Sequence, residues 1–199
     1  MEKWEMWTFC NDVPGVGVRV LYMALPVMMA AAAHVVVIRY DLLWRLKVPI
    51  DLGWAIRGRR VFGNNKTWRG ALVMIAGSSA AMTLQQRLRL PSLELFDYGR
   101  VNAGLCGGLL GLGFVLGELP NSFLKRRCGI RPGKQAEGAK YWLCTLLDQV
   151  DSVVGCLLLL AIVWLPPWEV VVMALVLCSL VHIAFNLVFV WMGLKGRAL

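Results

Sequence analysis

Two aspartates, Asp148 and Asp151, stand three residues apart in the segment LLDQVDSVVG (146–155), where an apolar run begins. On a helix this spacing places both carboxylates on one face, where they repel each other unless a cation lies between them. Magnesium is usually held by one or two carboxylates together with substrate phosphates. The pair therefore predicts a magnesium site, although two solvated acids at a helix start, favoured by the helix dipole, have the same spacing.

A second polar set lies upstream in the segment GELPNSFLKRRCGIRPGK (117–134). Four polar residues in it are spaced three and four apart, which places them on one face of a helix: Glu118, Asn121, Ser122 and Lys125. Glu118 is a candidate third metal ligand, or one half of an internal Glu–Lys pair. The basic residues that follow suit phosphate contacts, but membrane topology asks for the same charges. They are Lys125, Arg126, Arg127, Arg131 and Lys134.

The segment GNNKTWRG (63–70) is framed by glycines and precedes an apolar run. It predicts either a capped helix start with a few charges, or one wall of a phosphate site at which helix N–H groups face an anion. Its candidate binding residues are Asn64, Asn65, Lys66, Thr67 and Arg69.

His182 and Asn186 lie four residues apart in the last apolar segment and face the same way, with Ser179 nearby. Polar side chains inside membrane helices often form hydrogen bonds between helices. They also mark substrate sites, so both interpretations stay open.

The elements that must position these groups are membrane helices. The chain has 199 residues, of which 58% are hydrophobic, whereas soluble domains are usually about 45–50% apolar. A membrane helix needs about 20 mostly apolar residues. We therefore predict an all-α membrane protein with one domain, 1–199, and five spans. The spans are about 16–38, 70–84, 102–123, 150–164 and 170–192.

The basic residues predict the orientation. Most of them fall between Arg39 and Arg69, between Lys125 and Lys140, and at the end of the chain, and these segments alternate with the spans. Because cytoplasmic loops carry excess lysine and arginine, the N-terminus is predicted outside and the C-terminus inside, in a multi-pass protein of the cytoplasmic membrane. The same rule explains the net charge of +9 without nucleic acid.

Two further features concern packing and processing. Glycine is frequent in the third span, which predicts close helix contacts, and the six cysteines lack C-x-x-C spacing, which predicts packing rather than disulfide or zinc. Acidic residues at the N-terminus do not fit a cleaved signal peptide, so we expect the first span to be retained.

Four stretches together resemble the CDP-archaeol synthases, and their order along the chain matches the family's. They are GNNKTWRG (63–70), GELPNSFLKRRCGIRPGK (117–134), LLDQVDSVVG (146–155) and VHIAFNLVFVWMGLK (181–195). Glu118 stands where that family usually has aspartate. The resemblance implies a five-span enzyme that transfers CMP from CTP to an isoprenoid glycerol phosphate, releases pyrophosphate and uses magnesium.

On this hypothesis Asp148, Asp151 and Lys125 are catalytic, and the two aspartates hold magnesium with Glu118. Phosphate and lipid contacts come from a wider set. It comprises Asn64, Asn65, Lys66, Thr67, Arg69, Ser122, Arg126, Arg127, Lys134, His182 and Asn186. The alternatives are the same chemistry on phosphatidate, a small transporter, and a non-catalytic membrane scaffold.

Overall fold

The computed structural model describes residues 13–88, 90–131 and 140–191, and this part of the chain is mostly helical. The five long helices are α1 (Val13–Arg39), α2 (Trp68–Leu88), α3 (Ala103–Arg127), α4 (Lys140–Leu160) and α5 (Trp168–Trp191). A short antiparallel hairpin, β1 (Ala55–Ile56) and β2 (Arg59–Arg60), lies in the connection between α1 and α2. The prediction of a helical protein with five long helices is confirmed.

Three helices of the described chain are long and apolar enough to cross a membrane: Gly15–Arg39, Ala103–Arg127 and Trp168–Phe185. They contain most of the first, third and fifth predicted spans. The second predicted span falls within α2 and the fourth overlaps α4, and both helices carry more polar residues. The fourth differs most, because α4 begins at Lys140 and ends at Leu160, whereas hydropathy alone placed the span at 150–164.

The five helices form a closed ring. Each packs against its neighbours in the sequence, and α5 returns to pack against α1. The glycines of α3 produce the closest contacts: a Cβ at Gly111 would lie 2.4 Å from the carbonyl oxygen of Met74, and one at Gly113 would lie 2.5 Å from that of Gly155. The predicted tight packing of α3 is confirmed, on two faces at once.

All five cysteines of the described residues are free thiols, and Cys128 is exposed rather than packed. Cys106 is fully buried, and the thiol of Cys156 lies 3.2 Å from the carbonyl oxygen of Leu110. Cys10 lies outside the described residues.

One end of the ring is closed by an aromatic cluster. Tyr98, in the connection between α2 and α3, has no exposed surface and packs against Phe96 with ring centroids 5.0 Å apart. Phe96 in turn packs against Trp164 at 4.9 Å, and Tyr22 of α1 stacks on Tyr98 at 6.3 Å. The candidate site residues lie at the opposite end, where α1 ends and α2 begins.

Candidate active site

The connection that carries GNNKTWRG is held in shape by Asp51. Its buried carboxylate accepts hydrogen bonds from the backbone N–H groups of Phe62 and Gly63, both at 3.0 Å, and forms an ion pair with Arg60. These bonds outweigh the effect of burial and hold the pKa of Asp51 well below its usual range. Gly63 has φ +99°, which favours glycine, so the segment starts on a turn fixed by Asp51.

The same segment then enters α2. The N–H of Ile50 donates to the carbonyl oxygen of Lys66 at 2.8 Å, and the Thr67 hydroxyl accepts from the N–H of Gly70 at 3.3 Å. Thr67 therefore caps the helix, as the sequence allowed. Asn65, Lys66 and Thr67 face an internal cavity, and Lys66 forms an ion pair with Glu118 of α3.

Two predicted binding residues of this segment contact the protein itself. Arg69 is buried and donates to the Asp41 carboxylate at 2.7 Å and to the carbonyl oxygen of Leu42 at 3.1 Å. Hydrogen bonds from Arg69 and Lys47 lower the pKa of Asp41. Asn64 accepts a hydrogen bond from Arg60 at 2.7 Å. Both residues stabilise the connection between α1 and α2.

The basic residues at the end of α3 also differ in their partners: two of them bind backbone carbonyls, and one forms an ion pair with a carboxylate. Arg127 donates to the backbone carbonyls of Ile56, Arg59 and Arg60 at 2.7–2.8 Å, and so fastens the hairpin to α3. Arg126 is buried and donates to the carbonyl oxygen of Phe62 at 3.1 Å. Lys125 instead forms an ion pair with Asp148 of α4.

The chain leaves α3 through a sharp turn. The helix ends at Arg127, and Gly129 follows with φ +81°. The N–H of Gly129 donates to the carbonyl oxygen of Arg126, and the N–H of Ile130 donates to that of Lys125. This is a Schellman motif, and it turns the chain sharply after the helix. Consecutive helical side chains point about 100° apart, so the last turn of α3 faces the hairpin on one side and α4 on the other.

The carboxylates of Asp148 and Asp151 both accept a hydrogen bond from the side-chain amide of Asn121. The Asn121 side-chain nitrogen lies 2.6 Å from an oxygen of Asp148 and 2.8 Å from an oxygen of Asp151. The Asn121 oxygen is buried and has no hydrogen-bond partner among the described residues. A Cβ at Gly117 would lie 2.2 Å from the backbone oxygen of Asp151, so the glycine lets α3 approach α4 at this point.

Glu118 does not join this pair. No group of three Asp, Glu, His or Cys side chains in the described part of the chain is arranged as a metal site. Glu118 forms the Glu–Lys pair that its position allowed, but with Lys66 rather than with Lys125. It lines the cavity.

The remaining predicted residues are scattered. Ser122 is buried beside Asn121, and His182 of α5 lines the cavity. Ser179 donates to the carbonyl oxygen of Gln149 at 3.2 Å, a bond between α5 and α4. Lys134 and the side chain of Asn186 lie outside what the structure describes.

The cavity has a volume of about 380 Å³ and lies inside the ring, with all five helices in its wall. Most of its lining is aliphatic or aromatic, and its polar residues include Asn65, Lys66, Thr67 and Glu118 at one end. His34 of α1 also lines it. Sequence reasoning missed His34 and Asp51 as functional candidates, and it placed Asn121 on the polar face of the third span without giving it a role. A lone ionisable residue in an apolar span was the available signal for His34.

Comparison with known proteins gives this arrangement a context. The family model described as CarS-like CDP-archaeol synthase matches residues 15–198. A CDP-archaeol synthase of Thermofilum pendens is 36% identical, over 92% of this chain and 81% of its own. Another, of Aeropyrum pernix, is 32% identical over 88% of each chain.

A solved structure is similar as well. It is that of an intramembrane enzyme for archaeal membrane lipid biosynthesis, with a TM-score of 0.61, 29% identity, and coverage of 83% of this chain and 90% of that one. The apolar helix ring and this likeness define a membrane-embedded enzyme. By the match of its sequence to the family model and to these relatives, the chain belongs to the CDP-archaeol synthase family.

Proposed function

We propose that this protein transfers CMP from CTP to the phosphate of an isoprenoid glycerol ether lipid, with magnesium bound at Asp148 and Asp151. Family membership makes it a CTP-using cytidylyltransferase that forms a CDP-lipid at the membrane. The acceptor, the metal and the roles of individual residues are the proposal. The relatives named CDP-archaeol synthase support the choice of an isoprenoid acceptor.

One observation carries the proposal: the apolar cavity ends at the Lys66–Glu118 pair. An apolar wall suits lipid tails, and a lysine suits a phosphate. Ser152, the residue after Asp151, also lines the cavity. A lipid whose tails filled the cavity would therefore have its phosphate close to the aspartates.

The chemistry needs little from the protein beyond position and charge. An oxygen of the lipid phosphate attacks the α-phosphorus of CTP, and the bond from that phosphorus to the oxygen bridging to the β-phosphate breaks. Pyrophosphate leaves with the electron pair. Catalysis of such transfers rests on alignment of the two phosphates and on stabilisation of the developing negative charge.

Lys125 and Lys66 are the cations that face the site. Each is held by one carboxylate, Asp148 or Glu118, and both pairs are partly exposed. Each lysine can therefore exchange its carboxylate for a phosphate oxygen without leaving a buried charge unpaired. In this proposal Arg69, Arg126 and Arg127 shape the site rather than contact substrate, since each binds backbone or Asp41.

The donor atoms around Asn121 suit magnesium. The carboxylates of Asp148 and Asp151 are hard oxygen ligands that both lie against the Asn121 amide nitrogen, and magnesium commonly takes one or two carboxylates and fills its other positions with water and phosphate. The Asn121 oxygen has no hydrogen-bond partner among the described residues, and it becomes a further ligand only if the amide turns over. When bound, the ion would offset charge on the nucleotide phosphates. Glu118 remains a candidate ligand only if it leaves Lys66.

Orientation is part of the proposal. Arg127 joins the α1–α2 connection to the end of α3, so the two basic segments lie at one end of the ring. The positive-inside rule then places this end, and CTP, on the cytoplasmic side of the cell membrane. The orientation is tested by cysteine labelling of an Arg57→Cys variant in a background without the native cysteines. Labelling should succeed only when the reagent can reach the cytoplasmic side of the membrane. Labelling from outside would show the opposite orientation.

The activity test uses purified protein with CTP, magnesium and one acceptor at a time: digeranylgeranylglyceryl phosphate or phosphatidate. We expect a CDP-lipid and pyrophosphate with the isoprenoid acceptor, and loss of both after chelation of magnesium. A clear preference for phosphatidate would show that the proposed isoprenoid acceptor is wrong. No CDP-lipid from either would refute the proposed function.

A further inference from the structure

His34 is the only polar residue among those that α1 contributes to the cavity wall within the described chain. The others lie between Val20 and Val35 and are all apolar. From Val20 to His34 the helix rises about 21 Å, at 1.5 Å per residue. Helix α1 therefore presents an apolar strip that ends in one imidazole, on the side of the cavity where the polar residues gather.

The imidazole is fitted to the start of α2. A Cβ at Gly70 would lie 2.9 Å from Nε2 and 3.2 Å from Cε1 of His34. No larger residue fits at position 70 unless His34 moves. The glycine that closes GNNKTWRG is thus explained by close approach to His34. The hydroxyl of Thr67, one turn earlier, would lie 3.7 Å from the same Cβ at position 70.

The charged groups around His34 are those of the proposed phosphate site. Glu118, Arg69 and Lys66 are the charges that act on the imidazole. Lys66 and Glu118 line the same cavity as His34, while Arg69 is turned toward Asp41. His34 therefore lies where the apolar strip meets the pair of charges that a phosphate would enter.

We propose that His34 binds the phosphate of the lipid acceptor, donating a hydrogen bond beside Lys66 while the tails lie along the apolar strip of α1. This rests on the proposed function, because it positions the acceptor of that reaction. His34 is a binding and positioning residue: it limits how far the phosphate can move along the cavity. It does so from a helix that the sequence motifs do not include.

The test measures initial rates of the full-length protein in mixed micelles with CTP, magnesium and digeranylgeranylglyceryl phosphate. His34→Ala should raise the KM for the lipid about tenfold, the loss expected for one hydrogen bond to a charged group. The KM for CTP should stay within about twofold, because the proposal assigns His34 to the lipid phosphate and not to CTP. His34→Gln keeps a donor and should recover most of the lipid affinity.

Two glycine variants separate phosphate binding from helix packing. Gly70→Ala displaces the imidazole and should act like His34→Ala. Gly77→Ala is the matched control, since its Cβ would lie 3.0 Å from Ala30 on the same pair of helices, away from His34. If Gly77→Ala raised the lipid KM as much as Gly70→Ala, helix packing would explain the result and the inference would be wrong.

Binding without CTP gives a readout independent of turnover. Native mass spectrometry would compare digeranylgeranylglyceryl phosphate with the same diether lacking the phosphate. His34→Ala should weaken only the phosphate-bearing lipid, and equal weakening of both would overturn the inference. A wild-type protein that forms no CDP-lipid, yet binds the phosphate through His34, would refute the proposed function and leave this site standing.

Discussion

At one end of the helix ring Tyr98, Phe96 and Trp164 exclude water, whereas at the other end Lys66, Glu118 and their neighbours are charged and partly exposed. The closed end contains a buried tyrosine hydroxyl without a partner in the described structure, and its burial costs free energy that the surrounding aromatic packing must offset. The open end contains ion pairs in which 14–35% of each side chain is exposed. Such pairs contribute little net stability, so substrate can replace them at small cost.

The comparison indicates a division of work. The aromatic end stabilises the bundle, whereas under the proposed function the charged end binds phosphate and metal. Backbone contacts along α3 join the two: its glycines pack on α2 toward the closed end and on α4 toward the open end. Substitutions at the aromatic end should therefore lower stability, and substitutions at the charged end should lower activity.

The largest effect is expected from Asp148→Asn. It removes a charge from the proposed metal site but keeps the shape, so turnover should fall by about a thousandfold, at the upper end for loss of one electrostatic contact in a transition state. CDP-lipid formation from CTP is the measurement. Thermal unfolding in detergent should change little; near-normal activity would remove Asp148 from the catalytic groups.

At the closed end, Tyr98→Ala should lower the free energy of unfolding by about 3–5 kcal/mol, the usual loss for a buried aromatic side chain. Activity per folded molecule should stay close to that of the unchanged protein. Tyr98→Phe is the matched control and should be neutral or slightly stabilising, because the hydroxyl has no described partner. A Tyr98→Ala protein that is stable but inactive would contradict the division of work.

Arg127→Ala tests the hairpin attachment. Loss of three hydrogen bonds to backbone carbonyls should free the hairpin, and its amides should exchange with deuterium about tenfold faster, while the KM for CTP rises modestly. Arg45→Ala, an exposed arginine in the same connection, is the control. A higher KM with unchanged hairpin exchange would show that Arg127 binds CTP directly.

The smallest effect concerns Asp51 and pH. Folding lowers the pKa of this carboxyl, so its ionised form stabilises the connection at every pH above the unfolded value of about 3.9. The stabilisation should be lost as pH falls from there toward the lower folded pKa. Protection of the N–H groups of Phe62 and Gly63, followed by deuterium exchange, should fall below about pH 4 for that reason. In Asp51→Asn it should be weak at all pH values.

Much of this organisation was predictable because it depends on local pattern. Five apolar segments predicted five helices, and the glycines of α3 predicted its close contacts. Proximity of the Asp148–Asp151 pair to α3 followed from both lying beside the same basic loop. The start of α4 was missed because residues 140–149 are too mixed in polarity for hydropathy to distinguish helix from loop.

The partners that individual charged side chains contact could not be predicted from local pattern. Lys125, Arg126 and Arg127 are adjacent in sequence, and the positive-inside rule treats them alike. A helix separates consecutive side chains by about 100°, so each points to a different neighbour, and only the packing of α4 and the hairpin decides which.

The sequence by itself determined the helical membrane fold, the family, and the set of polar residues available at one end of the ring. Tertiary structure alone decided that Lys66 pairs with Glu118, that Asn121 joins the two aspartates, and that Gly70 makes room for His34. The reason is that hydropathy and motifs are local along the chain. These contacts instead join residues 27–52 positions apart, which only the packed ring brings together.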